Sequence, residues 1–215
     1  MNKQLQKENK KILFIVNVDW FFISHRLPIA QEAIKSGYEV HLASAITTGE
    51  ERLRSEGIHI HSLGLRRSTI NPFSNCKSLF QIFSIIREIR PSILHLVTIK
   101  PILIGGIAAL LLRLRYNIKT GLVFSITGVG YPFTSNTKRA SLLKFIISFL
   151  YKFAFLHRNK FVIFQNKDDQ ELISTIARIK ESESILIPGS GVDLEKYKYS
   201  PIPTGKPIVM FAARL

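Results

Sequence analysis

From Lys11 to Ile187 the chain alternates short apolar runs with amphipathic runs of helix length, and this alternation restricts its fold more than any other feature. Lys11–Val16 (KILFIV) meets no polar residue after its first position until Asn17, the pattern of a strand buried on both faces. A helix is expected over Phe22–Ser36, stopped at Gly37, where a left-handed cap suits glycine. Strands at Tyr38–Ala43 and Ile58–Ile60 flank a short helix, Thr48–Glu56, with Thr48 as its N-cap. The helix Cys76–Ile89 ends before Pro91, and the strand Ser92–Val97 leads to a helix, Pro101–Leu114, opened by its proline. Then come the strand Lys119–Ser125, a loop through Thr137, a basic amphipathic helix Lys138–Leu156 and the strand Lys160–Phe164. A helix Lys167–Ile179 and a strand Ser184–Ile187 close the series. Strands alternating with helices require a parallel sheet covered on both faces, an α/β doubly wound domain.

The pattern divides the chain into a basic tail (1–10), a Rossmann-like domain (11–188) and a Gly-, Pro-, Ser- and Lys-rich linker (189–206). A new apolar strand is expected at Pro207–Ala212, within a segment 207–215 that reads as the start of a second domain. The simplest account of that ending is a truncated chain.

Of the 215 residues, 46% are hydrophobic, enough for one well-cored domain. The single cysteine, Cys76, excludes an internal disulfide framework and a thiolate metal site, and it suggests a reducing compartment. It reads as a buried or half-buried small apolar residue. No signal-type apolar stretch precedes Ile12. Pro101–Leu112 falls short of the roughly 20 residues of a spanning helix, and Leu142–Leu156 carries Lys144 and Lys152, which are costly at a bilayer centre. A cytoplasmic chain that does not span a membrane is expected. Its formal charge of +15 suits nucleic acid, anionic lipid or a phosphorylated substrate, and composition does not choose among them.

In a doubly wound sheet, ligands bind outside the carboxyl ends of the strands. The first such loop, from Asn17 to Pro28, gathers Asn17, Asp19, Trp20, His25 and Arg26, more polar chemistry than a connection needs. The competing reading makes Trp20, Phe21 and Phe22 core and His25 a capping residue. At the fourth strand, His95 alternates with apolar neighbours, which suits a satisfied core histidine as well as a site residue. Thr98 and Lys100 follow it, and Lys100 stands just before a helix whose free N–H groups favour an anion. After the fifth strand, Thr127, Gly128 and Gly130 would let backbone N–H groups approach a ligand, although a plain flexible loop reads the same way. The dinucleotide fingerprint is absent after the first strand. Asn166 is expected to cap the helix after the sixth strand, with Asp168 and Asp169 at its positive end. No further ligand accompanies these two carboxylates at metal-binding spacing.

Taken in order, DWFFISHRLPIA (19–30), HLVTIKP (95–101), ITGVGY (126–131), FQNKDD (164–169), GSGVDLEKY (189–197) and FAARL (211–215) resemble the amino-terminal part of retaining glycosyltransferases of family 4. These are GT-B enzymes, here of the type that builds bacterial capsule, O-antigen or related polysaccharides. The resemblance implies a two-domain enzyme whose front half holds a lipid-linked saccharide acceptor and whose back half holds most of a nucleotide-sugar. It implies no cofactor and no metal, with the nucleotide-sugar as co-substrate.

The resemblance makes Arg214 a contact of the donor diphosphate. Many relatives place a histidine where this chain has Thr127, so His25 and His95 are the candidates for acceptor positioning. Asn17, Asp19, Trp20, Arg26, Thr98, Lys100, Thr127, Gly128 and Gly130 are the candidate substrate-binding residues. The isolated chain is expected to be inactive, because the E-x7-E motif and the lysine that follows the arginine would lie beyond Leu215. The basic helix Lys138–Leu156 suits the anionic inner face of a membrane, making the protein peripheral there; a core-facing helix with a solvated basic face fits it equally. The alternatives are a non-enzymic basic α/β binding module and a GT-B-like sugar-nucleotide epimerase. Nucleic acid is not expected as a partner, since the basic residues are scattered and no recognised motif accompanies them.

Overall fold

The computed structural model describes residues 10–64, 72–135, 137–202 and 204–211. Seven parallel strands are β1 (Lys11–Val18), β2 (Glu39–Ala45), β3 (His59–Ser62), β4 (Ile93–Val97), β5 (Gly121–Ile126), β6 (Lys160–Phe164) and β7 (Ser184–Leu186). They lie in the order β3-β2-β1-β4-β5-β6-β7, so the chain winds outward from β1 to one edge and then returns to wind the other way. The expected α/β doubly wound sheet is the observed one.

The helices are α1 (Asp19–His25), α2 (Leu27–Lys35), α3 (Glu50–Ser55), α4 (Pro72–Ile89), α5 (Ile99–Tyr116), α6 (Tyr131–Thr134), α7 (Lys138–Ala154) and α8 (Lys167–Ala177). Strand alternation splits the core into two layers. Leu13 and Ile15 of β1 face the layer built with α4, α5, α7 and α8. Ile12, Phe14 and Val16 face the layer built with α1, α2 and α3. On that second face, Phe161 of β6, Ile185 of β7 and Ile187 just beyond it are each 40–44% exposed.

Several boundaries depart from the sequence reading for local reasons. The helix expected over Phe22–Ser36 is two helices. Pro28, in the first turn of α2, has no N–H to give the preceding turn, and the backbone breaks at Arg26 (φ −131°, ψ −12°). Thr48 does not cap α3; Gly49 holds that position without a side-chain cap. The helix after β4 begins at Ile99, so Lys100 sits in its first turn instead of before it. A short α6 interrupts the loop expected up to Thr137. Cys76 is exposed, not buried. Residues 207–211 have no regular secondary structure and are exposed, so the expected strand at Pro207–Ala212 does not form over its described part.

Helix α5 packs closely against α7 at Gly106. A Cβ there would lie 2.8 Å from the Ala154 carbonyl oxygen and 2.9 Å from the Ala154 Cβ, and a backbone carbonyl cannot move aside as a flexible side chain can. Gly106→Ala is therefore expected to destabilise the chain by about 1–3 kcal/mol, read as a lower urea midpoint at unchanged m-value.

Candidate functional site

The reversal of strand order lies between β1 and β4, where the loops leaving the two strands diverge and open a crevice at their carboxyl ends. Pairing of β1 with β2 slips between Ile15 and Val18, a bulge that carries Asn17. From there the Asn17 amide Nδ2 donates to the Thr98 hydroxyl at 2.8 Å, clasping the two strand ends together. The Asn17 Oδ1 is buried and has no hydrogen-bond partner.

Thr98 caps α5 with φ 74° and ψ 164°, a region in which β-branched residues are rarely found. Such strain costs roughly 1–3 kcal/mol and persists only where the surroundings enforce it. Here the Asn17 clasp holds the side chain, and the Thr98 N–H donates to the Ser125 carbonyl at 3.2 Å. Thr98 thereby sets the direction in which the positive amino end of α5 leaves β4. Lys100 is half-buried in that first turn, and burial lowers its pKa.

Arg26 occupies the break between α1 and α2 and is 5% exposed. One guanidinium nitrogen donates to the His25 carbonyl and to the Ser190 hydroxyl, both at 2.9 Å, while Nε is buried without a partner. Burial pulls its pKa below the ordinary value. The Ser190 bond joins the expected linker to this end of the sheet. The sequence reading missed it, since a serine between two glycines reads only as a turn.

Two candidates turn out to serve the scaffold. Asp19, expected to bind substrate, is fully buried and turned inward. It accepts from the Thr47, Thr48 and Gly49 N–H groups at 2.8, 3.1 and 2.9 Å, and from the Thr47 hydroxyl at 2.6 Å. The Trp20 N–H completes the set at 2.8 Å. Asp19 thus fixes the 47–49 turn that leads into α3, while α3 itself has no side-chain cap. The T-T-G-E-E run (47–51) signalled a helix start, but not that its acceptor lay 30 residues upstream.

His95, expected to position the acceptor, lies beneath the crevice. Its Nε2 is 2.7 Å from the Ser125 hydroxyl, and its ring packs 5.0 Å from that of Phe14. Burial, helped by the nearby positive charge of Arg26, pushes its pKa down to about 3, so it stays neutral at physiological pH and acts as a core histidine. Asn166 caps α8 as expected, accepting from the Asp169 N–H at 2.8 Å.

The remaining candidates line the periphery. His25 stacks on Phe21 at 4.3 Å, with Nδ1 engaged by the Ser24 hydroxyl at 2.6 Å and facing the Phe21 carbonyl at 3.2 Å. Trp20 is 38% exposed on the opening turn of α1. Thr127 and Gly128 are half-buried after β5. Gly130 has φ 69°, a conformation that favours glycine. Arg214 lies outside the described residues. The structure thus joins Asn17 and Thr98 at the ends of β1 and β4, sets the Arg26 charge near His95 below them, and places Lys100 in the first turn of α5.

Known proteins resemble the chain over most of its length. The family model described as "Glycosyl transferase 4-like" matches residues 11–166. The chain is 23% identical over 184 residues to the N,N'-diacetylbacillosaminyl-diphospho-undecaprenol alpha-1,3-N-acetylgalactosaminyltransferase of Campylobacter jejuni, covering 82% of this chain and 47% of that protein. Among solved structures, a glycosyltransferase from Rickettsia africae superimposes with TM-score 0.59 at 18% identity, over 89% of this chain and 45% of that one. The Anabaena HepE protein in complex with UDP and glucose gives 0.57 at 15% identity, over 89% and 47%. A UDP-GlcNAc 2-epimerase from Methanocaldococcus jannaschii gives 0.52 at 12%, over 82% and 45%. These structures share the fold, and the chain spans about half the length of the proteins it matches.

The Asp19 network sets a pH dependence. Burial alone would raise the Asp19 pKa, but the hydrogen bonds from Thr47, Gly49 and Trp20 outweigh it and lower the pKa from 3.8 to about 2. A depressed carboxylate stabilises the fold above its unfolded pKa, and that contribution fades as pH falls from about 4 towards about 2. Asp19→Asn is expected to cost about 2 kcal/mol at pH 7, with the gap from the unsubstituted chain closing across that acid window in urea titrations.

Proposed function

The chain belongs to the glycosyl transferase 4-like family, and from that premise we propose that it is the acceptor-side half of a glycosyltransferase acting on a lipid-linked saccharide. The family match over residues 11–166 carries the reading. The fold alone does not separate it from the epimerase alternative, since a UDP-GlcNAc 2-epimerase shares the same doubly wound half.

The chemistry of the crevice supports an acceptor that offers both hydroxyl and phosphate. The unpartnered Asn17 Oδ1 accepts a sugar hydroxyl, and the unpartnered Arg26 Nε donates to an oxygen of the same ligand. The amino end of α5, with Lys100 in its first turn, receives the diphosphate that joins saccharide to lipid. In the whole protein, a nucleotide-sugar supplies the transferred sugar from the facing half, and transfer retains the anomeric configuration. The leaving diphosphate takes up the proton of the acceptor hydroxyl, which leaves this half to orient and not to ionise its substrate. The neutral, inward-facing His95 accords with that division. The product feeds capsule, O-antigen or related polysaccharide synthesis.

Docking at the inner membrane face brings the acceptor within reach. Helix α7 turns Leu142, Phe145, Ile146, Phe149 and Phe153 outward, each 40–72% exposed, with Leu156 beyond its end. Lys138, Arg139, Lys144, Lys152 and Arg158 flank this stripe, and residues 138–160 contain no carboxylate. An apolar stripe with a cationic border suits an anionic bilayer surface. A second copy of the same face would bring like charges together. Helix α7 also packs on α6, which follows the Gly128–Gly130 loop, so the stripe starts near the crevice end of the sheet.

Two measurements test the reading. Lys100→Gln is expected to weaken binding of a polyprenyl-diphosphate monosaccharide to the chain roughly tenfold, the scale of one charge-assisted hydrogen bond; unchanged affinity in equilibrium binding would remove Lys100 and the α5 terminus from the acceptor site. Phe145→Ser combined with Phe149→Ser is expected to lower affinity for anionic vesicles by roughly tenfold or more in co-sedimentation. Full retention of vesicle binding by that double variant would exclude the stripe as the docking face.

A further inference from the structure

The other end of the sheet carries a second concentration of positive charge that the acceptor crevice does not use. A cavity of about 370 Å³ lies between the carboxyl end of α5 and the amino ends of β5 and β6, with Arg113, Lys119 and Arg158 among its lining residues. A neighbouring cleft of about 530 Å³ shares Arg113 and Arg158 and adds Lys152 and Arg178. None of these five cations has an ion-pair partner among the described residues. Lys160 also lines the cleft, but Glu183 neutralises it at 3.0 Å. His157, in the wall of both, has its pKa lowered by burial, against the opposing pull of the hydrogen bond from its Nε2 to the Gly106 carbonyl at 3.0 Å.

Helix dipoles account for part of this charge. α5, α7 and α8 all end here, and each carboxyl end carries about half a negative charge. Three such ends offset fewer than two of the five cations. The remaining like charges, most of them solvent-exposed, gather along two neighbouring concavities, where a bound anion would relieve their mutual repulsion.

The surroundings specify the anion. Leu156 lines the cleft and is 56% exposed, continuing the outward stripe of Phe149 and Phe153 on α7. The cavity floor is apolar, with Ile86, Ala109, Leu112 and Leu122. A ligand seated here meets cations around its head and hydrocarbon at its side. We infer that the clefts joined by Arg113 and Arg158 form a binding site for the phosphate headgroup of an anionic phospholipid. The inference rests on the membrane-docking part of the proposed function and adds a discrete headgroup contact to a diffuse surface attraction. Headgroup engagement at the far end of α7, with the apolar stripe between, fixes how the domain lies on the bilayer.

The test compares equal losses of charge at the two ends of α7. Arg113→Gln with Arg158→Gln empties the cleft of its two shared cations, and Lys138→Gln with Arg139→Gln removes two from the opposite end. Vesicles of phosphatidylcholine with and without phosphatidylglycerol report bilayer affinity, and short-chain phosphatidylglycerol below its micellar concentration reports the site alone. The cleft variant is expected to lose roughly tenfold more affinity for the anionic vesicles than the control variant, and to be the one that loses short-chain lipid binding. Equal losses in the two variants, or an unsubstituted chain that binds anionic vesicles but not the short-chain lipid, would overturn the headgroup site while leaving membrane docking intact. Short-chain binding lost in the cleft variant, with no vesicle binding by the unsubstituted chain, supports the site and refutes bilayer docking. Inorganic phosphate binding as tightly as the short-chain lipid would overturn the lipid assignment.

Discussion

The reversal of winding at β1 is the constraint on which the rest of this architecture depends. With β2 on one side and β4 on the other, β1 is buried on both faces, and its even and odd residues seed two separate core layers. The loops leaving β1 and β4 must part, because one runs to α1 and the other to α5 on opposite faces of the sheet. A crevice at their carboxyl ends follows from topology before any side chain is specified. What the sequence adds is the chemistry of its floor: an amide, a hydroxyl and a guanidinium where an unspecialised domain would carry apolar caps.

That floor is held rigid by hydrogen bonds within the scaffold. The Asp19 carboxylate gathers five donors and ties the end of β1 to the start of α3. The Asn17 clasp and the Ser125 carbonyl hold Thr98 in a backbone region that threonine disfavours. Strain maintained by surrounding bonds is a means of presenting groups in a fixed geometry. Asn17 Oδ1 and Arg26 Nε are left buried and unsatisfied by the same scaffold, and a buried polar atom without a partner is costly until a ligand supplies one. Preorganisation and unmet hydrogen-bonding capacity thus coincide at one end of the sheet.

Most of the fold was legible in the sequence, and the site was legible in part. All seven strands overlap their expected segments, and the signal is clearest for β1, β2 and β4, where burial on both faces leaves a largely apolar run, and weakest for the partly exposed edge strands β3 and β7. Where the reading failed, distant or local competition overrode the pattern. Pro28 split one expected helix in two, and the turn before α3 is held by Asp19, 30 residues upstream, instead of being closed by a Thr48 cap. Asp19 stood out as a polar residue just past a strand end and His95 suited a core or a site role alike, and the sequence does not reveal that their partners, Thr47 and Ser125, turn them inward. Asn17, Arg26 and Thr98 were singled out in the loops that follow β1 and β4, and the structure leaves Asn17 Oδ1 and Arg26 Nε buried without a partner. For α7, amphipathicity was evident, but which face met the core was not, since apolar residues fall on both sides of the helix.

Hydrogen exchange of the chain, followed by mass spectrometry with and without a polyprenyl-diphosphate monosaccharide, tests the central claim most directly. An acceptor-side half predicts slowed exchange at the amide groups of Thr98–Lys100 and Gly128–Gly130 when the acceptor is added, and little change there with a nucleotide-sugar alone. Protection of those segments by the nucleotide-sugar and not by the lipid-linked saccharide would contradict the assignment, because the crevice would then belong to the donor.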